Sequence, residues 1–154
     1  MSELRRGAVA GLAGTVVLSV LSAGETRWRG RAAVYEPATM VARLAQSRLH
    51  VKLPADQRRW AGVAMRWPYG AAWGTALGAL AGRRLSRAWP LWGLALGVSV
   101  LGFELLALPR AGATPPLSEW RSDEIAIDAL NTLVFGLTCA LTLREIIQRT
   151  EVER

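Results

Sequence analysis

Glu104 stands in the apolar run LGFELLAL, where a carboxylate costs roughly 2.5–3.5 kcal/mol on membrane-insertion scales. Such a group must face protein or water, and two chemistries follow. One is a proton or ion ligand. The other is structural: a carboxylate paired with an arginine such as Arg66 or Arg110, or hydrogen-bonded inside a bundle. Asp128, Asn131 and Thr132 share one helical face, and Thr138 and Thr142 repeat the four-residue spacing. A polar line of this kind either borders a wet path or bonds neighbouring helices, at about 0.6–2 kcal/mol each, and the second is commoner. Glu104, Asp128, Asn131 and Thr132 are therefore the candidate polar or ion site. Glu25 is expected to meet the arginines beside it.

Little else could carry a reaction. Cys139 and His50 are the only residues of their kinds. A zinc site would then rest on carboxylates alone, so no metal or other cofactor is expected. Cys139 reads as a packing residue. The chain has no HExxH, phosphate loop or dinucleotide fingerprint, and no nucleophile–base arrangement can be assembled from it. The expectation is a protein that is not an enzyme.

The elements that must position these groups are apolar and long. Of 154 residues, 51% are hydrophobic and 20% charged, and the charges avoid several stretches. A helix needs about 20 residues to cross a hydrocarbon core of about 30 Å. Four segments approach or meet that length, at about 7–23, 61–82, 88–108 and 125–143. The fold class is all-α: one membrane domain over 1–154, built as a polytopic helical bundle. The first segment also has signal-peptide features, namely a basic start, a short apolar core and small residues at Leu21-Ser22-Ala23. Gly7, Ala10, Gly11 and Gly14 on one face favour a retained, packed span instead.

Between the first two spans, about 37–50 reads as a short amphipathic helix lying on the membrane, opened by Pro37. Met40, Val41, Leu44 and Ala45 form its apolar face. Trp28, Arg29, Arg31 and Trp60 flank it as lipid-interface residues, since Trp favours the headgroup level and Arg reaches phosphates from there. Pro109, Pro115 and Pro116 are expected to stop the third span.

Small residues mark the packing faces. Gly70, Gly74, Gly78 and Gly82 form a four-residue ladder, although each interior Gly costs a helix about 1 kcal/mol relative to Ala. In lipid the ladder lets another backbone approach closely. Gly93 and Gly97 offer a second face. At 100° per residue the ladder drifts by about 40° per step, so span two is expected to meet two neighbours, spans one and three.

The formal charge is +7, from nineteen basic residues of which only Lys52 is lysine. In so apolar a chain, this is a fringe for anionic lipid headgroups and not a nucleic-acid surface. Arginine preference with abundant Ala and Gly suggests a bacterial source. Arg5, Arg6, Arg83, Arg84, Arg87 and the arginines near the C-terminus favour both termini in the cytoplasm. Expected partners are membrane lipids and either a second copy of the chain or another membrane protein.

The region PRAGATPPLSEWRSDEIAIDALNTLVFG resembles the C-terminal part of the YagU family of small bacterial inner-membrane proteins. Gly112, Thr114-Pro115-Pro116-Leu117, Asp128, Leu133-Val134 and Phe135 carry the likeness, and Tyr69-Gly70 is similar to related small membrane proteins. The resemblance implies a membrane location and a link to acid-stress survival. Where such proteins carry a His before the Leu-Val pair, this chain has Thr132, so a titrating-His mechanism does not transfer. The leading expectation is a non-enzymatic accessory or stress-related component packed through small-residue faces. The alternative is a small oligomeric transporter or channel using Glu104 and the Asp128/Asn131 line.

Overall fold

The computed structural model describes residues 2–30, 41, 44–46, 54–112 and 114–152, and every regular element among them is helical. Helix α1 (Glu3–Arg29) opens on Ser2, whose hydroxyl accepts from the Arg5 amide at 3.4 Å. Glu3 in its first turn and Arg27 and Arg29 in its last complement the helix dipole. Helix α2 (Ala55–Ala81) runs through Pro68 and ends at Gly82, where φ is +45°. A single tight turn (Gly82–Arg84) leads into α3 (Leu85–Gly102), which bends at Ala88 ahead of Pro90.

The chain then winds through a π turn (Phe103–Ala107) and a last α turn (Leu108–Arg110). Pro109 thus lies inside the third helical run rather than stopping it. Proline has no N–H to give the preceding turn, and the wider π turn before it accommodates that loss. Gly112, at φ +72°, makes the reversal. Helix α4 (Ser122–Val152) completes the set. The expected amphipathic helix at about 37–50 lies almost wholly outside the described residues.

Three helical runs are long and apolar enough to cross a membrane: Glu3–Arg29, Arg87–Arg110 and Ser122–Thr150. At 27 residues, or about 40 Å, α2 has the length. Its glycines, tryptophans and Arg66 dilute its apolarity, which is why it is not among the three.

The helices alternate in direction, and backbone contacts between glycines set two of their seams. A Cβ built on Gly7 would strike the Gly74 carbonyl, and one on Gly11 the Gly70 carbonyl. Gly78 sits 2.6 Å, by the same measure, from the Glu3 carbonyl. Those pairs fix α1 and α2 as antiparallel. Gly93 and Gly97 meet Leu137 and Leu133 of α4 at 2.9 Å, and Gly136 meets the Gly93 carbonyl, so α3 and α4 are antiparallel too. The α1–α4 contact joins the two pairs, through Gly14 against Cys139 and Phe135. Both chain ends therefore lie at one end of the bundle.

This geometry corrects the expectation that the ladder serves two neighbours. Gly70, Gly74 and Gly78 all face α1, and Gly82 lies beside the Glu3 carboxylate. The row of residues four apart is inclined to its helix axis, and a partner helix inclined to match can follow it throughout. The drift is absorbed by the crossing of the helices.

Between the seams, Leu77, Leu85, Val100, Phe135, Leu143 and Ile147 form a buried core. Val16, Val20, Leu80, Leu91, Val98 and Leu130 point outward, an apolar exterior suited to lipid. Overpacking typically costs about 1–3 kcal/mol. Gly74→Ala is therefore expected to destabilise the protein by at least that much, because its Cβ would lie 2.5 Å from the Gly11 backbone. Gly24→Ala, with open space around it, is expected to be neutral or slightly stabilising. Thermal unfolding of both variants in detergent tests the contrast.

Candidate functional site

Polar groups gather at the bundle end opposite the chain termini. The π turn carries Glu104 inward, where it is only 3% exposed, while Phe103 beside it stays at the surface. π turns inside α-helices are frequent at functional positions. Tyr69, directly after Pro68 in α2, donates its hydroxyl to Glu104 Oε1 at 3.0 Å. Trp73 and Phe103 pack edge-on at 5.7 Å, and both lie against the Tyr69 ring. These aromatics bridge α2 and α3, the sequential neighbours that touch least.

Asp128 projects from α4 beside Glu104, and the two carboxyls interact directly. Glu104 Oε2 and Asp128 Oδ2 are each buried without a hydrogen-bond partner. Tyr69 and Asp128 are the ionisable groups beside Glu104. Arg110, one of the two cations considered for it, is exposed and donates to the Leu106 carbonyl at 3.0 Å.

One turn further out, Arg29 closes α1 onto α4. Its guanidinium binds Glu25 at 2.8 Å, Asp123 at 2.9 Å and Glu124 at 3.1 Å. Glu25 meets a neighbouring arginine as its position suggested. Arg29, placed at the lipid interface by the sequence, keeps only 12% of its side chain exposed and directs it into the protein. Trp28 and Trp60 are 87% and 72% exposed. Arg31 lies outside the described residues.

The rest of the polar line on α4 takes a different route. Thr132 is buried, and its hydroxyl donates to the Ala129 carbonyl at 3.0 Å within its own helix. Thr138 does the same to Val134 at 2.8 Å. These hydroxyls are satisfied locally, and Thr132 lines the glycine seam with α3 through its backbone. Asn131 is half-buried. The structure thus brings Glu104 and Asp128 together and leaves Thr132 to packing.

Sequence reasoning missed Tyr69 as a partner of Glu104, Asp123 and Glu124 as partners of Arg29, and Gly136 as a seam residue. The signal for Gly136 was present in its four- and three-residue spacings to Thr132 and Cys139. No periodicity within one helix could reveal a partner on another. Comparison with known protein families, curated proteins and solved structures finds no match.

Removing one partner from a close ion network leaves the others uncompensated. Arg29→Gln is expected to lower the melting temperature in detergent more than Arg121→Gln does. Arg121 is 72% exposed and binds Asp123 alone among these acids. Equal melting temperatures for the two variants would show that Arg29 does not hold α1 to α4.

Proposed function

We propose that this chain is a four-span, non-enzymatic component of a bacterial plasma membrane, with both ends in the cytoplasm. The contact of Gly70, Gly74 and Gly78 with α1 carries this reading. A helix held backbone to backbone along an apolar neighbour lies at the same depth as that neighbour, so α2 becomes the fourth span despite its weaker hydropathy. The small-residue faces then serve the chain's own closure, and its outer apolar faces meet lipid or another membrane protein. The basic turn at Arg83 and Arg84 shares an end with both termini, which supports the orientation. The resemblance to the YagU family supports an accessory role in envelope or acid stress.

Single-cysteine labelling of intact cells tests the topology, using a Cys139→Ser background. Ser2→Cys and Arg84→Cys are expected to react only after permeabilisation of the inner membrane, and Gly30→Cys and Gly112→Cys before it. If Gly30→Cys and Arg84→Cys react from the same side, α2 does not span.

A second reading, a small proton- or ion-conducting transporter, is favoured by the buried, unpartnered Oε2 of Glu104 and Oδ2 of Asp128. It expects proton or cation flux in proteoliposomes that Glu104→Gln or Asp128→Asn reduces at least tenfold. Absence of flux across pH and cation gradients removes it.

A further inference from the structure

We propose that Glu104 and Asp128 form a binding site for one proton, shared between their carboxyls and braced by the Tyr69 hydroxyl. The inference concerns occupancy of the site, so it holds or fails independently of whether the protein conducts anything.

An ionised carboxyl only accepts. Tyr69 satisfies Glu104 Oε1, which leaves Glu104 Oε2 and Asp128 Oδ2 buried and unpartnered. Two acceptors side by side cannot satisfy each other. One added proton turns one carboxyl into a donor, and the two side chains can then hydrogen-bond to each other. Glu104, at 3% exposure, leaves little room for water to do the same work.

The surrounding charges point the same way. On α4 the next acid is Glu124, and on α1 it is Glu25; both act on Asp128. Arg29, the cation among them, is already divided over Glu25, Asp123 and Glu124. On α2, Tyr69 is the ionisable group in contact, and Arg66 one turn earlier has interactions of its own. On the third helical run, Arg110 turns to the Leu106 carbonyl. The proton is therefore the positive charge that balances this pair. A multivalent metal fits less well, because among the described residues no group of three acidic, His or Cys side chains is placed to hold one.

The exchange is simple in its balance. The pair carries one negative charge with the proton bound and two after the proton returns to solvent. In the second state two like charges face each other between α3 and α4. Tyr69, reaching across the loosely packed α2–α3 side, holds Glu104 in place in the first.

Infrared spectroscopy of the full-length protein in lipid bilayers tests the site. At neutral pH a hydrogen-bonded carboxylic C=O band is expected, shifted in D2O and lost in one step at alkaline pH. Either Glu104→Gln or Asp128→Asn is expected to remove it, since the new amide supplies the missing donor. In wild-type protein the band should move on isotopic labelling of glutamate and also of aspartate, which decides the matter even where a variant fails to fold. Absence of a carboxylic band at neutral pH, or its response to only one label or substitution, overturns sharing. A band abolished by sodium at constant pH overturns the proton as the ligand.

Discussion

Backbone-to-backbone approach of α1 and α2 is the constraint from which the rest of this bundle follows. Between apolar helices in lipid, burying more hydrocarbon gains nothing, and close packing must supply the attraction. Gly7 and Gly11 against Gly70 and Gly74 reduce the separation to the limit that two backbones allow. Dispersion weakens steeply with any gap, so contact at this range is where many small attractions accumulate. The glycines that weaken α2 as a helix are the ones that hold it in place. A helix with Arg66 and three interior tryptophans gains its position from its neighbour.

The same device on α3 and α4 builds a second rigid pair, and the two pairs meet through Gly14 and Cys139. Such an arrangement is tight on three sides and loose on the fourth, where α2 faces α3. Polar chemistry collects beside that loose side. Tyr69 and Glu104 make the hydrogen bond that crosses it, and Trp73 and Phe103 make the ring contact beside them. A glycine seam at this position would have left no room for a carboxyl. Side chains of real size fill the gap that the other three sides close with backbone.

Much of the helical layout was legible in the residues because apolar length and small-residue spacing act within one segment. The ladder from Gly70 and the pair Gly7 and Gly11 mark the faces on which α1 and α2 meet, and Gly14 marks the contact with α4. Helix ends were less legible: α1 continues to Arg29 and α4 to Val152, well past their apolar stretches, because charged last turns remain helical. At the site, Glu104 stood out through its depth alone. Asp128 stood out through its own place on a polar face, but Tyr69 did not, because it comes from another helix and shares no spacing with Glu104. Arg29 shows the same limit. An arginine beside Trp28 reads as an interfacial anchor until the folded chain brings Asp123 and Glu124 beneath it.

Arg29 also explains how so acidic an end can exist. Its guanidinium binds three acids drawn from two helices, Glu25, Asp123 and Glu124. The charges of these three are balanced by Arg29 even where solvent is excluded, as at Glu124, whose side chain is only 6% exposed. Among the described residues, Glu104 and Asp128 have no such cation, and their Oε2 and Oδ2 are buried, where an unbalanced charge is expensive. A second arginine at that depth would have paired them permanently and fixed the charge. The chain instead places a phenol there, which supports one carboxyl and neutralises neither. The acids at Arg29 are thus fixed by a side chain that stays charged, while Glu104 and Asp128 lack that permanent counter-charge and keep a phenol between them and α2.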